Sequence, residues 1–294
     1  MIEKKNNKVE VASDQEILYL DEMLKSIDSD ISVGMSYVRR TLGMSFKELE
    51  RKVTGIKGDT LQRYMQQSYH SMRPIHAVAA FSWITMVPMT ALYYGFKIKE
   101  FYRGMDDDAV EALVRSGRLP TSVINIYLNL ICDKLTDESA REFLEFRQQV
   151  ESEFGVLEDH GDLLPPTVLD MNDFAIDYYR SVAITLKRFR EEHNISIDTM
   201  SRVLGLTRYQ YGVLENPNKI SHFSVSIGFR VKLGFKLNTH VYFTSEMKQF
   251  PEFHKLRQVQ HVRDLLIVEA MRRIDEDTRK PMVSVLISLS KLFK

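Results

Sequence analysis

Between Ser196 and Pro217 two short helix signals follow each other across a single glycine turn, and this arrangement constrains the chain more than any other feature. Ser196 is placed to cap the first, Met200, Val203 and Leu204 fall on one face, and Gly205 stops it. Thr207 is placed to cap the second, over 208–215, with Tyr211 and Leu214 facing inward before Asn216 and Pro217 end it. Helices this short are marginal in water on their own, so neighbouring helices must bury their apolar faces. One such neighbour is predicted upstream, over 182–192, where Val182, Leu186 and Phe189 oppose the basic Arg190. Clean apolar–polar alternation is scarce elsewhere, so the expected fold class is all-α, built around a helix-turn-helix.

The plan recurs. Residues 36–95 offer a first helix at Tyr37–Leu42, a second capped by Ser45 within 43–55, a third over 57–67, and an apolar fourth after Met72, Arg73 and Pro74 running through Trp83. The flanks echo as well: Val-Glu-Ala-Leu-Val-Arg at 110–115 resembles Val-Glu-Ala-Met-Arg-Arg at 268–273, and apolar runs follow at 126–131 and 285–290. The reading is a duplicated unit of helix-turn-helix plus helical tail. Its expected divisions are an N-terminal segment (1–35), a first unit (36–103), an acidic helical spacer (104–177), a second unit (178–243) and a C-terminal helical oligomerisation region (244–294). In that last region Val262, Leu265, Leu266, Val268, Ile274, Val283, Leu286, Ile287 and Leu289 suggest two apolar helices broken around Asp275–Pro281.

Charge adds a direction. The formal net charge is zero, 40 basic against 40 acidic residues, yet its distribution is uneven. Residues 36–103 carry 11 Lys and Arg against 4 Asp and Glu, 104–177 carry 5 against 17, and 178–263 carry 14 against 6. Phosphates respond to local potential within about 10 Å, so the acidic middle need not cancel the basic flanks. With one cysteine, Cys132, neither an internal disulfide nor a thiolate-rich zinc site can form within the chain. No apolar run approaches the ~20 residues that cross a bilayer. A cytoplasmic protein with no membrane partner is the expectation.

On the residues quoted above, 182–243 resembles the Cro and lambda-repressor-like (XRE) family of helix-turn-helix transcription regulators. The resemblance lies in Ser196 opening helix two, Leu204-Gly205-Leu206-Thr207 at the turn, Leu214-Glu215-Asn216 closing helix three, and 224–234 as helix four. It departs at Ile197, where family members commonly carry a phosphate-touching Gln. The resemblance implies that helix three enters a major groove of duplex DNA, with Arg208, Tyr209, Gln210 and Gly212 near the bases and Lys187, Arg188, Arg190, Lys219 and His222 near phosphates. Arg suits guanine and Gln suits adenine through paired hydrogen bonds. The first repeat would offer Lys57, Gln62 and Arg63, with Asp59 as a cap or an unfavourable carboxylate, after a turn lengthened by one residue. Both units could dock as a single-chain pseudo-dimer, or one unit could dock within a homodimer. No cofactor and no catalysis are expected.

Other readings start from other residues. Degenerate repeats could bind another regulator or assembly instead of DNA. Asp159-His160-Gly161-Asp162 has residue types found in metal and acid–base sites but no second cluster at ligand spacing, so a loop is expected. Met35, Met44, Met65, Met72, Met86 and Met89 with Phe81, Trp83 and Tyr93 could line a ligand pocket, although filling a core is their commoner use.

Overall fold

The computed structural model describes residues 9–93, 106–237 and 243–293; parts of both expected unit ends (94–103, 238–242), the side chain of Tyr93 and Lys294 lie outside that set. Fourteen α-helices and two strands of two residues each are found among the described residues, so the helical expectation holds. The first is α1 (Asp14–Met23), opened by a box in which Ser13 caps Glu16 and Glu16 accepts the Ser13 N–H at 2.7 Å. Next, α2 (Ile27–Thr41) begins well ahead of the expected Tyr37, because Ile27, Ile31, Met35 and Val38 form one buried stripe. It is followed by α3 (Phe46–Arg51), β1 (Val53–Thr54), α4 (Gly58–Tyr64) and α5 (Ile75–Thr85).

The middle of the chain supplies α6 (Asp107–Ser116), α7 (Thr121–Cys132) and α8 (Asp137–Phe154), then a loop that contains 159–162 as expected. β2 (Leu169–Asp170) leads directly into α9 (Met171–Glu192), a helix that starts inside the expected acidic spacer. Asp170, read above as one more acidic charge, caps it by accepting from the N–H groups of Asn172 and Asp173 at 2.8 and 3.0 Å. Then come α10 (Ile197–Leu204), α11 (Arg208–Leu214), α12 (Ser226–Gly234), α13 (Pro251–Arg273) and α14 (Glu276–Leu292).

A helix, two short helices and a further helix thus occur twice, and the two sets meet face to face. β1 pairs in parallel with β2, Val53 opposite Leu169, while Pro74 and Ser224 form an antiparallel bridge just before the fourth helix of each set. The Ile75 N–H donates to the Phe223 carbonyl at 2.9 Å there. α5 is buried along its whole length, packing on α2 and α9, as a helix that is apolar on every side must be. Its Trp83 ring lies among Phe174, Phe250 and Phe253, and the indole N–H donates to the Leu163 carbonyl at 3.0 Å. Five of the six methionines considered for a pocket are spent here: Met35, Met44, Met65, Met86 and Met89 are buried in the core, and Met72 is not.

The tails interleave. α6 packs on both α13 and α14, and α13 also packs on α7 and α8. Val262, Leu266, Val268, Ile274, Val283 and Leu286 are buried within the chain, with Leu265, Ile287 and Leu289 packed against the same core, so the apolar residues that suggested self-association are already covered. The break between α13 and α14 falls at Ile274–Asp275, where Asp275 caps Thr278 at 2.8 Å, and Pro281 sits inside α14 instead of ending it. In both echoed segments the Glu and Arg pair one turn apart, Glu111–Arg115 at 2.8 Å and Glu269–Arg273 at 2.9 Å. No helix among the described residues is long and apolar enough to cross a membrane.

Candidate nucleic-acid interface

α10 and α11 are set by three local devices. Ser196 accepts the Thr199 N–H at 3.0 Å, Gly205 takes a left-handed conformation (φ 65°) that ends α10, and Thr207 caps α11 by accepting the Gln210 N–H at 3.2 Å. A β-carbon at Gly205 would lie 2.8 Å from the Arg230 guanidinium carbon, a side-chain end that can swing aside, so it is the left-handed φ that calls for glycine here. Met200, Val203, Leu204, Tyr211 and Leu214 are buried, and α10 packs on both α11 and α12. What remains outside is the opposite face of α11.

That face carries Arg208, Tyr209 and Gly212. Tyr209 is 77% exposed, the most open large apolar side chain among the described residues. Arg208 lies 3.5 Å from Asp198, but both side chains are more than 70% exposed, so the pair holds the guanidinium weakly. Nothing lies within 4 Å of a β-carbon placed at Gly212, so a surface can approach the helix there. Lys187 and Lys219 are exposed and lack an ion pair with any described residue.

Four predicted residues are otherwise engaged. Gln210 closes the cap of α11, its side-chain oxygen accepting the Thr207 N–H at 2.9 Å, so bidentate adenine reading requires it to leave that bond. Arg190 donates to Glu215 at 2.7 Å, and Glu215 also accepts from the Tyr211 hydroxyl at 3.1 Å; this hydrogen bond raises the Arg190 pKa. Its charge is therefore used to join α9 to the end of α11 instead of standing free for phosphate. Arg188 donates to Glu246 at 2.7 Å, with the Arg side chain still half-exposed. His222 stacks on Tyr179 with ring centroids 5.9 Å apart.

No family model matches the chain, and no curated protein or solved structure is significantly similar to it.

The first set differs in its connection. Ser45 caps α3 through a box with Glu48, but α4 opens at Lys57 with no side-chain cap, and the two caps stand one residue farther apart than Ser196 and Thr207. The connection is held from outside by the β1–β2 pair, and Gly55, at φ 75°, lies where a β-carbon would meet Asn172. Asp59 lies in the first turn of α4 and does not cap it. Lys57 and Arg63 are exposed and Gln62 is half-buried.

One organising residue was invisible in the sequence. Arg73 is 1% exposed and gathers the loop after α4, donating to the carbonyls of Tyr64 at 3.2 Å and of Gln66, Tyr69 and Ser71, while its N–H reaches Asp28. Burial pulls its pKa down, and Asp28 opposes that shift. Met72, beside it, projects from this loop into a cavity of about 330 Å³ on the flank of α11, which Leu206, Tyr209, Val213 and Arg230 also line. The first set thus helps shape the surroundings of the second set's exposed helix.

Proposed function

We propose that the chain is a sequence-specific duplex-DNA-binding transcription regulator of the Cro and lambda-repressor-like kind, with two helix-turn-helix units in one polypeptide and α11 as the principal reader. The observation that carries this reading is the bare outer face of α11: a capped helix held by a buried inner face, offering Arg208, Tyr209 and an uncovered Gly212 at its exposed side. A helix N-terminus in this setting places base-reading side chains and phosphate-seeking amides together. Lys187 and Lys219 supply backbone charge nearby in sequence, and Arg188 can join them by releasing Glu246.

The test is an electrophoretic shift with genomic fragments, followed by footprinting. Arg208→Ala is expected to weaken specific binding by about 1–3 kcal/mol and to relax selection at one base position, with helicity unchanged. Equal affinity and selectivity in the variant would remove α11 as the reader.

For the first unit a specific observation favours a supporting role. The α3–α4 connection is tied to the head of α9 through β1 and β2, and α4 has no side-chain cap. Exposed Lys57 and Arg63 favour contact with DNA instead. Affinity measured from roughly 50 to 200 mM salt separates the two, because each phosphate neutralised contributes a slope near 0.9 on duplex DNA. A Lys57→Ala, Arg63→Ala double variant is expected to lose slope if both units dock as a pseudo-dimer and to keep it if only the second unit reads.

A further inference from the structure

A cavity of about 200 Å³ lies where the first helix set meets the tail helices. Its wall is made by the end of α2 with the turn after it, by the α6–α7 junction, and by the last turn of α14. Four cationic side chains line it, Arg40, Arg115, Arg118 and Lys291, and no acidic side chain does. Arg115 is balanced by Glu111 at 2.8 Å. The other three make no ion pair with a described residue.

Two of those three are held in place with their charge uncommitted. Arg40 and Arg118 each donate only Nε, to the carbonyls of Ser36 and Thr85, both at 3.3 Å, leaving the terminal NH₂ groups of both forks without a partner among the described residues. Desolvation is the sole cause acting on Arg118, and it pulls the pKa down; a bound counter-charge would relieve it. Leu42, Val114, Leu119 and Phe293 supply an apolar wall beside the cations. Uncompensated guanidinium forks next to apolar surface match a molecule with an anionic head and a short apolar body.

We propose that this cavity is a binding site for a small organic anion, a carboxylate or phosphate on a short apolar body, with Arg40 and Arg118 holding the head group and Leu42, Leu119 and Phe293 covering the body. Such a ligand touches the first helix set, the α6–α7 junction and α14 at once, so it fastens the first set to the tail. The proposal goes beyond DNA binding and stands without it.

The test uses the full chain with no DNA present, by calorimetric titration and thermal unfolding. The probes are hexanoate, hexyl phosphate, inorganic phosphate and, as the neutral control, hexanol. Hexanoate or hexyl phosphate is expected to bind saturably and raise the melting temperature, with hexanol and inorganic phosphate at least tenfold weaker. Arg118→Gln and Arg40→Gln are each expected to weaken binding about tenfold or more, the size expected when one charge-assisted contact is lost. Should either variant fail to fold, Lys291→Gln, at the exposed rim, is expected to weaken binding severalfold in a folded chain. Absence of saturable binding by both anions, hexanol binding as tightly as hexanoate, or affinities untouched by these substitutions would overturn the site. Inorganic phosphate binding as tightly as hexyl phosphate would overturn the ligand class.

Discussion

At Gln210 the demands of folding and of base reading fall on one amide. Its oxygen closes the cap of α11, so Gln210→Glu keeps the box and adds a carboxylate where the helix dipole favours one, about 0.3–1 kcal/mol of stabilisation. In a DNA groove that carboxylate meets phosphates. The expected outcome is an unchanged or slightly raised melting temperature with affinity for DNA lowered at least tenfold; equal affinity would place this end of α11 away from the duplex. A second prediction concerns His76, buried against Tyr179 and His222, with Nδ1 3.1 Å from the Tyr179 hydroxyl. Burial first, and His222 second, lower its pKa from 6.5 to about 3. The folded chain therefore resists a proton that the unfolded chain takes up. Its contribution to stability is complete above the unfolded pKa near 6.5 and is lost as pH falls toward 3, at up to about 1.4 kcal/mol per pH unit. His160, lowered to about 4 chiefly by burial and then by Arg263, adds a loss of the same sign down to that pH. Urea unfolding of the wild type and His76→Gln between pH 7 and pH 5 should show a shallower pH dependence in the variant; parallel curves would refute the assignment. Gln210, expected only among the bases, could have been read as a cap partner from its spacing to Thr207. Arg73 could not, because the carbonyls it gathers are brought together only by the folded loop.

At the scale of elements, legibility followed the range of the signal. Ser196, Gly205 and Thr207 act within three or four residues of themselves, and the short helices they bound were readable. The starts of α2 and α9 were not, since residues buried in the core, Ile27 and Ile31 in α2 and Met171 and Phe174 in α9, extend both helices beyond the parts expected from the sequence. Asp170 illustrates the difficulty: in a run of carboxylates a capping aspartate looks like charge. The outer face of α11 was readable because its inner face was. The commitments of Arg188 and Arg190 were hidden because Glu246 and Glu215 lie far along the chain. The uncapped start of α4 yields a prediction with two readouts. Lys57→Ser supplies the missing cap and is expected to stabilise the chain by about 0.5–1 kcal/mol in urea unfolding. If the first unit docks on DNA, the same substitution lowers the salt slope by about 0.9, whereas a supporting unit leaves it unchanged.

For the whole molecule, the tail helices decide what can be removed. Because α13 and α14 cover α6, a chain ending at Ser245 leaves Ala109, Val110, Ala112, Leu113 and Val114 without their neighbours. Such a truncation is expected to aggregate or to lose its cooperative unfolding transition, measured by light scattering and calorimetry; a well-folded truncated monomer would contradict the interleaved packing. The same interleaving governs how the chain is made. α5, apolar on all sides, finds its cover in α9 and in the Phe250 and Phe253 region, which follow it by roughly a hundred residues or more. At a synthesis rate of about 5–20 residues per second, α5 emerges on the order of ten seconds before α9 and the Phe250 region exist, although α2 has already been made. Until α9 and the Phe250 region are made, the faces of α5 that they cover in the finished fold have no partner, so the first half of the chain cannot complete its core on its own.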